Sequence, residues 1–374
     1  MTLKGYKKLT ILHTESSKGW GGQEIRILQE ALGMRDRGYR VLIATEKDST
    51  LFNKAMQKGI EVFDIHFSKY NPYSFLKIKD LLEKEKVDIL NTHSSKDSWV
   101  ASIAAKMSKN KPKIIRTRHL STPISKSYIS KIIYDLIPDA IVTTSEEIKD
   151  TMIKFNRFNE KKIFSIPTGI DLKLFKNENI ESAIKEQGFK IGTIGILRDW
   201  KGHSYFIESI PLIKKAIPKA IFFIIGDGPQ RDNLKKLIDE LDLNQSVKML
   251  GFRDDIPKVI YSLDVIVHPS YANEGVPQVI LQALAMKKPV VASNITGIRE
   301  VIIDNQTGLL VEPKNKWDIA EKVIELYNNK DLRIRLGEEG EKFVKINFSI
   351  ESMLDKLESI YHKLFSDSKS LIVN

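Results

Sequence analysis

Short apolar runs alternate with amphipathic helical patterns along the whole of this 374-residue chain, and the alternation starts twice. That pattern marks parallel strands joined by helices, an α/β fold. In the first half the expected strands are Lys8–Leu12, Val41–Ala44, Val62–Ile65, Ile89–Thr92, Lys113–Thr117 and Ala140–Thr144. Helical patterns lie between them at Gly22–Arg37, Tyr73–Lys86, Asp97–Lys109 and Ile124–Leu136. The run IFSIPTGID and the polar, weakly periodic LKLFKNENIESAIKEQGFK then read as a linker. The pattern restarts with strands at Ile191–Ile196, Ile221–Ile225, Val247–Leu250, Val265–Val267 and Val290–Ala292. Its helices are expected at Tyr205–Ala216, Arg231–Leu241, Pro257–Tyr261 and Val279–Met286, and from Lys316 the chain reads as helix up to a Lys/Ser-rich tail. The expectation is two facing Rossmann-like domains with a central cleft, 1–168 and 169–345, and a last helix, 346–374, that crosses back to the first domain. In open parallel sheets, ligands sit at the carboxyl ends of the strands.

Composition removes several classes. The longest apolar run is six residues, Ala220–Ile225, against the roughly 20 needed to span a bilayer. The N-terminus lacks the pattern of a signal peptide. With no cysteine, disulfides, thiolate catalysis and Cys-ligated zinc or iron are excluded, and a cytoplasmic protein fits. The net charge of +11 lies wholly in residues 1–168, which hold 30 Lys+Arg and 19 Asp+Glu; the remainder holds 29 of each. Between Ser98 and Tyr134 eight basic residues, among them Arg116, Arg118, Lys126 and Lys131, meet no acid. Such a field suits an anionic partner: nucleic acid, lipid headgroups or a phosphorylated substrate. A merely basic soluble surface is the plain alternative.

Four segments carry candidate chemistry. In HTESSKGWGGQEIRIL a strand ends and a helix begins at Gly21-Gly22, where backbone can approach a ligand and helix N–H groups can meet an anion. A simple turn would look the same. In GILRDWKGH, Arg198 and Lys201 stand three apart after a strand, a forked donor and a point charge suited to a diphosphate. In IIGDGPQ, a strand breaks at Gly226, either as a turn or as a glycine-lined ligand wall. In HPSYANEGVPQVILQALAM, Glu274 and Gly275 precede a helix beginning near Pro277. Glu274 is either a capping carboxylate or a ligand for sugar hydroxyls, with the N–H groups of Val276, Gln278 and Val279 toward a phosphate. Gln282 follows two helical turns later.

These segments, in this order, resemble those of the retaining, nucleotide-sugar-dependent glycosyltransferases of family four, which have the GT-B fold and include bacterial lipopolysaccharide, capsule and O-antigen enzymes. The resemblance runs over nearly the whole chain: GGQE, ILNTHSS, TTSEEIKD, IPTGID, GILRDWKGH, IGDGPQ, LGFRDDIPKVIYSLDVIVHPS, EGVPQVILQALAMKKPVVAS, GIREVI and TGLLVEP. It implies that Gly21 and Gly22 lie beside the donor diphosphate and that His93 lies near the transferred sugar. It implies that Arg198 and Lys201 neutralise the diphosphate and that Glu274 binds sugar hydroxyls. Gln282 stands where the family has a second glutamate for the ribose, and Arg198 sits two places later than the usual arginine. His93 would otherwise be an ordinary polar residue at a strand end.

The resemblance implies a leaving diphosphate on the same face as the incoming hydroxyl, with electrostatics and positioning as the enzyme's task. No cofactor and no metal are expected, because the sequence holds no Asp-x-Asp triplet and no His/Asp cluster with ligand spacing. Asp255 reads as a helix start. The expected partners are a nucleotide sugar and a glycan or glycolipid acceptor, anionic given the charge of the first half. SKSYISKIIYDLI, with Ile129, Ile132, Ile133 and Leu136 on one face near Lys126 and Lys131, suits peripheral contact with an anionic membrane, or else a core-facing helix. A non-catalytic nucleotide-sugar binder and an epimerase of the same fold are the rival readings. A nucleic-acid binder lacks interleaved aromatics and a recognised module.

Overall fold

The computed structural model describes residues 9–119, 122, 124–176, 180–272 and 274–369. Lys8, residues 177–179 of the expected linker and the tail beyond Lys369 lie outside them. The chain forms two compact units, one from the segment up to Gly169 together with the segment from Ile350 on, the other Ile170–Ser349.

The first unit holds strands β1 (Thr10–Thr14), β2 (Arg40–Thr45), β3 (Glu61–Asp64), β4 (Ile89–Thr92), β5 (Lys113–Arg118), β6 (Ala140–Thr143) and β7 (Ile163–Ser165). They pair in parallel in the order β3-β2-β1-β4-β5-β6-β7. β1, β4 and β6 are buried along their whole length, as a parallel sheet covered on both faces requires. On one face, the helix Gly22–Asp36 and the last helix, Ile350–Lys369, share a core with β1 that includes Ile27, Met34, Leu354 and Tyr361. The helices Pro72–Lys84 and Ser95–Met107 cover the other.

The second unit repeats the plan with β8 (Lys190–Ile194), β9 (Ile221–Ile225), β10 (Val247–Gly251), β11 (Val265–His268), β12 (Val290–Ser293) and β13 (Leu309–Val311), ordered β10-β9-β8-β11-β12-β13. The strand order reverses direction between β1 and β4 in one sheet and between β8 and β11 in the other. Such reversals open a crevice at the strands' carboxyl ends.

Three expectations change. Ile163–Ser165, the start of the expected linker, is the edge strand β7. Ile124–Leu136 is not one helix: an α-turn, Tyr128–Lys131, passes into a π-helical stretch, Ile132–Leu136. The wider turn rotates the side chains out of a single stripe, so Ile133 is buried while Ile129 and Leu136 are 57% and 53% exposed. The helices Thr50–Gln57 and Glu146–Lys154 and the short strand β13 are additional to the sequence reading. Asp255 is the residue before the helix Ile256–Ser262, but its carboxylate takes the Arg253 guanidinium (2.7 and 2.6 Å) and caps no backbone N–H.

Candidate active site

In the second unit the crevice between β8 and β11 holds Lys201 and Glu274. β8 ends at Ile194, and the loop after it is tied to its neighbours by Gly195 N to Ile225 O (2.9 Å), Leu197 N to Asp227 O (3.0 Å) and Tyr271 N to Trp200 O (2.9 Å). Gly226, at φ +134°, lets the two loops touch: a Cβ there would lie 1.9 Å from the Gly195 carbonyl oxygen. So fixed, Lys201 Nζ reaches Glu274 Oε1 at 2.5 Å. The same oxygen accepts from Ser270 Oγ (2.6 Å) and meets His268 Nε2 at 3.3 Å. Burial pushes the Glu274 carboxyl up, but the His268 contact and the Lys201 charge outweigh it and hold the group at about 2. Burial also lowers His268, so His268 is neutral near pH 7 and the lasting opposite charge is that of Lys201. The result is a fixed carboxylate and ammonium at the end of the sheet.

The residues around Glu274 fall as their spacing suggests. Gly275, Val276 and Gln278 are half-buried and Pro277 is buried. The helix Gln278–Ala285 starts after Pro277 with no side chain capping it. Gln282 lies half-buried on the next turn. Gly297 packs under the loop, where a Cβ would meet the carbonyl oxygens of Gly275 and Glu274 at 2.3 and 2.4 Å. Arg198 does not join Lys201 at the carboxylate. It is exposed, with its guanidinium 5.1 Å over the Trp200 ring, and it lines a separate concavity with Asp199, Gln230 and Asn233. His268 and Ser270 were visible in the sequence as HPS at a strand end, but only the fold turns them toward Glu274.

In the first unit, strand pairing sets His13 of β1 beside Asn91 of β4, and His93 and His119 follow directly on β4 and β5. His13 Nδ1 and His93 Nε2 are 3.0 Å apart, as are His93 Nδ1 and His119 Nε2. Burial lowers the pKa of all three imidazoles, so they are neutral at pH 7. His93 is therefore the middle of a chain of rings, and half-buried His119 is its outer end. Asp97, in the first turn of Ser95–Met107, accepts from Thr14 Oγ1 (2.8 Å) and from the backbone N–H of His93 (2.9 Å) and Ser94 (2.8 Å). Burial and the neighbouring Glu15 charge push it up to about 7. Glu15, itself raised by burial, accepts from Ser17 N at 2.7 Å and from the side chains of Gln23 and Ser94.

The fold brings together a cluster that no sequence spacing shows: a nitrogen each of His13 and His93 and a carboxylate oxygen of Glu30 lie within 4.8 Å of one another. Sequence spacing misses it because adjacent strands and the helix Gly22–Asp36, not neighbouring residues, supply the members. Glu30 is also paired with Arg26 (2.6 Å).

Gly21 and Gly22 are exposed at the start of that helix, where Gly21 N donates to Glu24 Oε2 (2.8 Å) and a Cβ on Gly22 would meet nothing within 4 Å. The four basic residues assigned to an anionic acceptor or membrane divide. Lys126 and Lys131 are exposed and, with Arg157, line a surface concavity of about 500 Å³ beside Tyr128. Arg118 is half-buried and donates to Thr122 O at 2.7 Å. Arg116 is only 2% exposed; it donates to Thr92 O (3.1 Å) and lies over the Tyr134 ring, so it belongs to the interior and not to a docking surface.

Residues 20–174 match the Glycosyltransferase Family 4 model and residues 175–343 match Glycosyl transferases group 1, so the two matches adjoin. The chain belongs to this glycosyltransferase family. The glycosyltransferase is 29% identical to the UDP-Gal:alpha-D-GlcNAc-diphosphoundecaprenol alpha-1,3-galactosyltransferase of Escherichia coli, over 77% of this chain and 78% of that one. It is 28% identical to the capsular polysaccharide biosynthesis glycosyltransferase CapM of Staphylococcus aureus, over 79% and 82%. Among solved structures, a glycosyltransferase from Rickettsia africae superposes with a TM-score of 0.86 at 25% identity, over 96% of this chain and 99% of that one. Anabaena Alr3699/HepE, at a TM-score of 0.81 and 20% identity over 95% and 100%, shares the fold. The two Rossmann-like units are those of the GT-B class. Among the described residues no helix is long and apolar enough to cross a membrane.

Proposed function

We propose that this glycosyltransferase moves a sugar from a nucleotide diphosphate sugar to an anionic glycan or glycolipid acceptor in surface-polysaccharide synthesis, with retention of anomeric configuration and without a metal or other cofactor. The observation that carries the reading is the Lys201–Glu274 pair in the β8/β11 crevice. A carboxylate held ionised at about 2 is a strong acceptor for sugar hydroxyls, and three donors already fix its position. Lys201, drawn to the same point, supplies the charge that a departing diphosphate needs. The start of Gln278–Ala285 offers backbone donors to phosphate oxygens. Gln282, one turn on, can accept from a ribose hydroxyl, though without charge assistance. Arg198 from its exposed loop serves the outer phosphate.

In this reading His93 of the first unit stands near the transferred sugar and helps to fix the substrates. The anionic-acceptor reading draws on the charge of +11 concentrated in residues 1–168. The Escherichia coli relative is named for a diphosphoundecaprenol acceptor, which joins a diphosphate to a lipid. The exposed Tyr128, Ile129 and Leu136 beside Lys126 and Lys131 give that unit an apolar rim with cations next to it, suited to the inner face of an anionic membrane. Nucleic acid is not a partner in this reading.

Calorimetry with uridine, guanosine and adenosine diphosphates, each with magnesium and with a chelator, tests the donor half. Binding of one of them in chelator, abolished by Lys201→Ala, supports it; no binding of any sinks it. Proton NMR of the product's anomeric coupling tests retention. Flotation with anionic and neutral vesicles tests the membrane: equal recovery on both removes that part.

A further inference from the structure

At the carboxyl ends of β1 and β4, where the first sheet reverses, three side chains close a hydrogen-bonded triangle. Glu15 follows β1, Ser94 stands two places past β4, and Gln23 lies in the first turn of Gly22–Asp36. Glu15 is fully buried. Its Oε1 accepts from Ser17 N (2.7 Å) and Ser94 Oγ, and its Oε2 accepts from the Gln23 amide. The same Gln23 atom lies 2.9 Å from Ser94 Oγ. The two ends of an amide are alike in shape, so the network decides which is nitrogen. Ser94 has one hydroxyl hydrogen and Glu15 Oε1 takes it, so Ser94 turns a lone pair toward Gln23. Burial raises the Glu15 carboxyl while the same three donors pull the other way, and as a carboxylate it only accepts. Both contacts therefore demand an N–H from the same atom, and both Nε2 hydrogens of Gln23 are spent. Its Oε1 has no protein partner among the described residues and is not closed off from solvent.

We propose that Gln23 is a substrate-contacting residue, locked by Glu15 and Ser94 so that its Oε1 accepts a hydrogen bond from a saccharide hydroxyl. Glu15 and Ser94 are positioning residues, and the saccharide part rests on the transferase reading above. The lock is selective. With both N–H groups held, Gln23 has nothing to donate to a phosphate oxygen, and its lone pairs would repel one. A hydroxyl of the transferred sugar or of the acceptor glycan supplies the missing hydrogen. Ligands of open parallel sheets sit in such reversal crevices, and His93 adjoins Ser94 there. Pinned at Nε2, the amide meets a hydroxyl without first losing rotamer freedom.

Proton exchange at the side-chain amides of ¹⁵N-glutamine-labelled protein reads the orientation, with Gln23 assigned by the pair of signals lost in Gln23→Met. Both Gln23 protons are expected to exchange with water at least about tenfold slower than those of an exposed glutamine. Exchange at the exposed rate overturns the proposal. In Glu15→Gln the new amide keeps its oxygen toward Ser17 N and Ser94, so its nitrogen faces Gln23. Gln23 is then expected to turn round and expose its own N–H pair; a folded variant with those protons still slow also overturns the proposal. Should Glu15→Gln fail to fold, Ser94→Ala removes one acceptor and is expected to speed the exchange. A folded Ser94→Ala with exchange unchanged counts against the lock. Ligand contact is read by calorimetry with UDP-, GDP- and ADP-hexoses beside the bare diphosphates, and by transfer assays. In Gln23→Met, a nucleotide-sugar affinity lowered about tenfold with the bare diphosphate unchanged assigns the hydroxyl to the transferred sugar. A KM raised about tenfold for the acceptor alone assigns it to the acceptor. Equal losses for sugar-bearing and bare nucleotides, or no change in either measurement, overturn the contact. Should the wild type bind no nucleotide, the transferase reading and the contact fall together, while the exchange rates still decide the lock.

Discussion

Glu274 and Asp97 occupy matching places in the two units, each just past the strand that borders the reversal of its sheet, yet they titrate on opposite sides of their ordinary range. Both are buried, and burial alone raises a carboxyl. Glu274 faces the Lys201 ammonium and is held at about 2. Asp97 faces Glu15 and is pushed up to about 7, although three donors contact it. At Glu274 the His268 hydrogen bond and the His268 and Lys201 charges outweigh burial, whereas at Asp97 burial and the Glu15 charge outweigh the Arg116 charge and the hydrogen bonds. The second unit keeps a permanent ion pair ready for a charged ligand. The first keeps neutral rings and a carboxyl that gains or loses a proton near pH 7.

The comparison breaks most visibly at Lys201. Lys201→Ala leaves Glu274 buried without its cation, and a loss of about 3–5 kcal/mol is expected in urea unfolding. A fall of about 10²–10³ in transfer is expected as well. Adding Glu274→Gln should recover a large part of the stability and none of the activity; a double variant as unstable as the single one would mean the pair is not what holds Glu274.

Next in size is a contrast between glycines. Gly226→Ala must place a Cβ against the Gly195 carbonyl at a positive φ, which should cost the second unit about 1–3 kcal/mol or more. Gly22→Ala meets open space and should leave stability within about 0.5 kcal/mol. A loss of nucleotide affinity in Gly22→Ala would then report on ligand approach alone.

Acid and base should act oppositely on these two carboxyls. Folded Asp97 keeps its proton up to about 7, whereas the unfolded chain releases it near 3.8, so the contribution of this group falls as pH rises between those values. Folded Glu274 stays ionised down to about 2 against 4.5 unfolded. Its contribution is complete above 4.5 and lost as pH falls toward 2. Trp20 and Trp99 lie in the first unit and Trp200 and Trp317 in the second, so Trp→Phe pairs let each unit be followed by fluorescence. From pH 5 to pH 8 the Asp97 part, read as the first unit's urea midpoint in wild type minus that in Asp97→Asn, should fall by an amount worth about 1 kcal/mol or more, against the rise that the lowered His13, His93 and His119 bring. The matching difference for Glu274→Gln in the second unit should stay constant in that window. Equal slopes for the two differences would remove the distinction.

The smallest effect expected is that of Gln282→Glu. A charged acceptor for the ribose should strengthen nucleotide binding by roughly three- to tenfold, read by calorimetry, with stability almost unchanged.

Much of this was legible in the chain itself. Continuous apolar runs such as Ile221–Ile225 gave strands to the residue, because a strand covered on both faces admits nothing else. Lys201 and Glu274 stood out because each lies in a polar loop that follows a strand, and the fold brings the two side chains together. β7 and β13 were not, since three-residue strands carry too little pattern to stand out from loops. The π-helical stretch at Ile132–Leu136 was missed because an apolar stripe assumes a uniform 3.6-residue turn. Arg116 misled because its charge suggested surface, while Thr92 O and the Tyr134 ring offered it a buried place. The histidine chain depends on which strands become neighbours, and no local spacing encodes that.

The last helix has a consequence for the birth of the protein. Ile350–Lys369 packs on Gly22–Asp36 so closely that a Cβ on Gly33 would come 2.3 Å from a Leu354 methyl, and Met353, Leu357 and Tyr361 complete the core around β1. As the ribosome delivers the chain, the second unit has all of its residues while the first still has an open apolar face. The part made first is thus the part finished last, and a nascent chain halted before residue 350 would expose that face to chaperones and proteases.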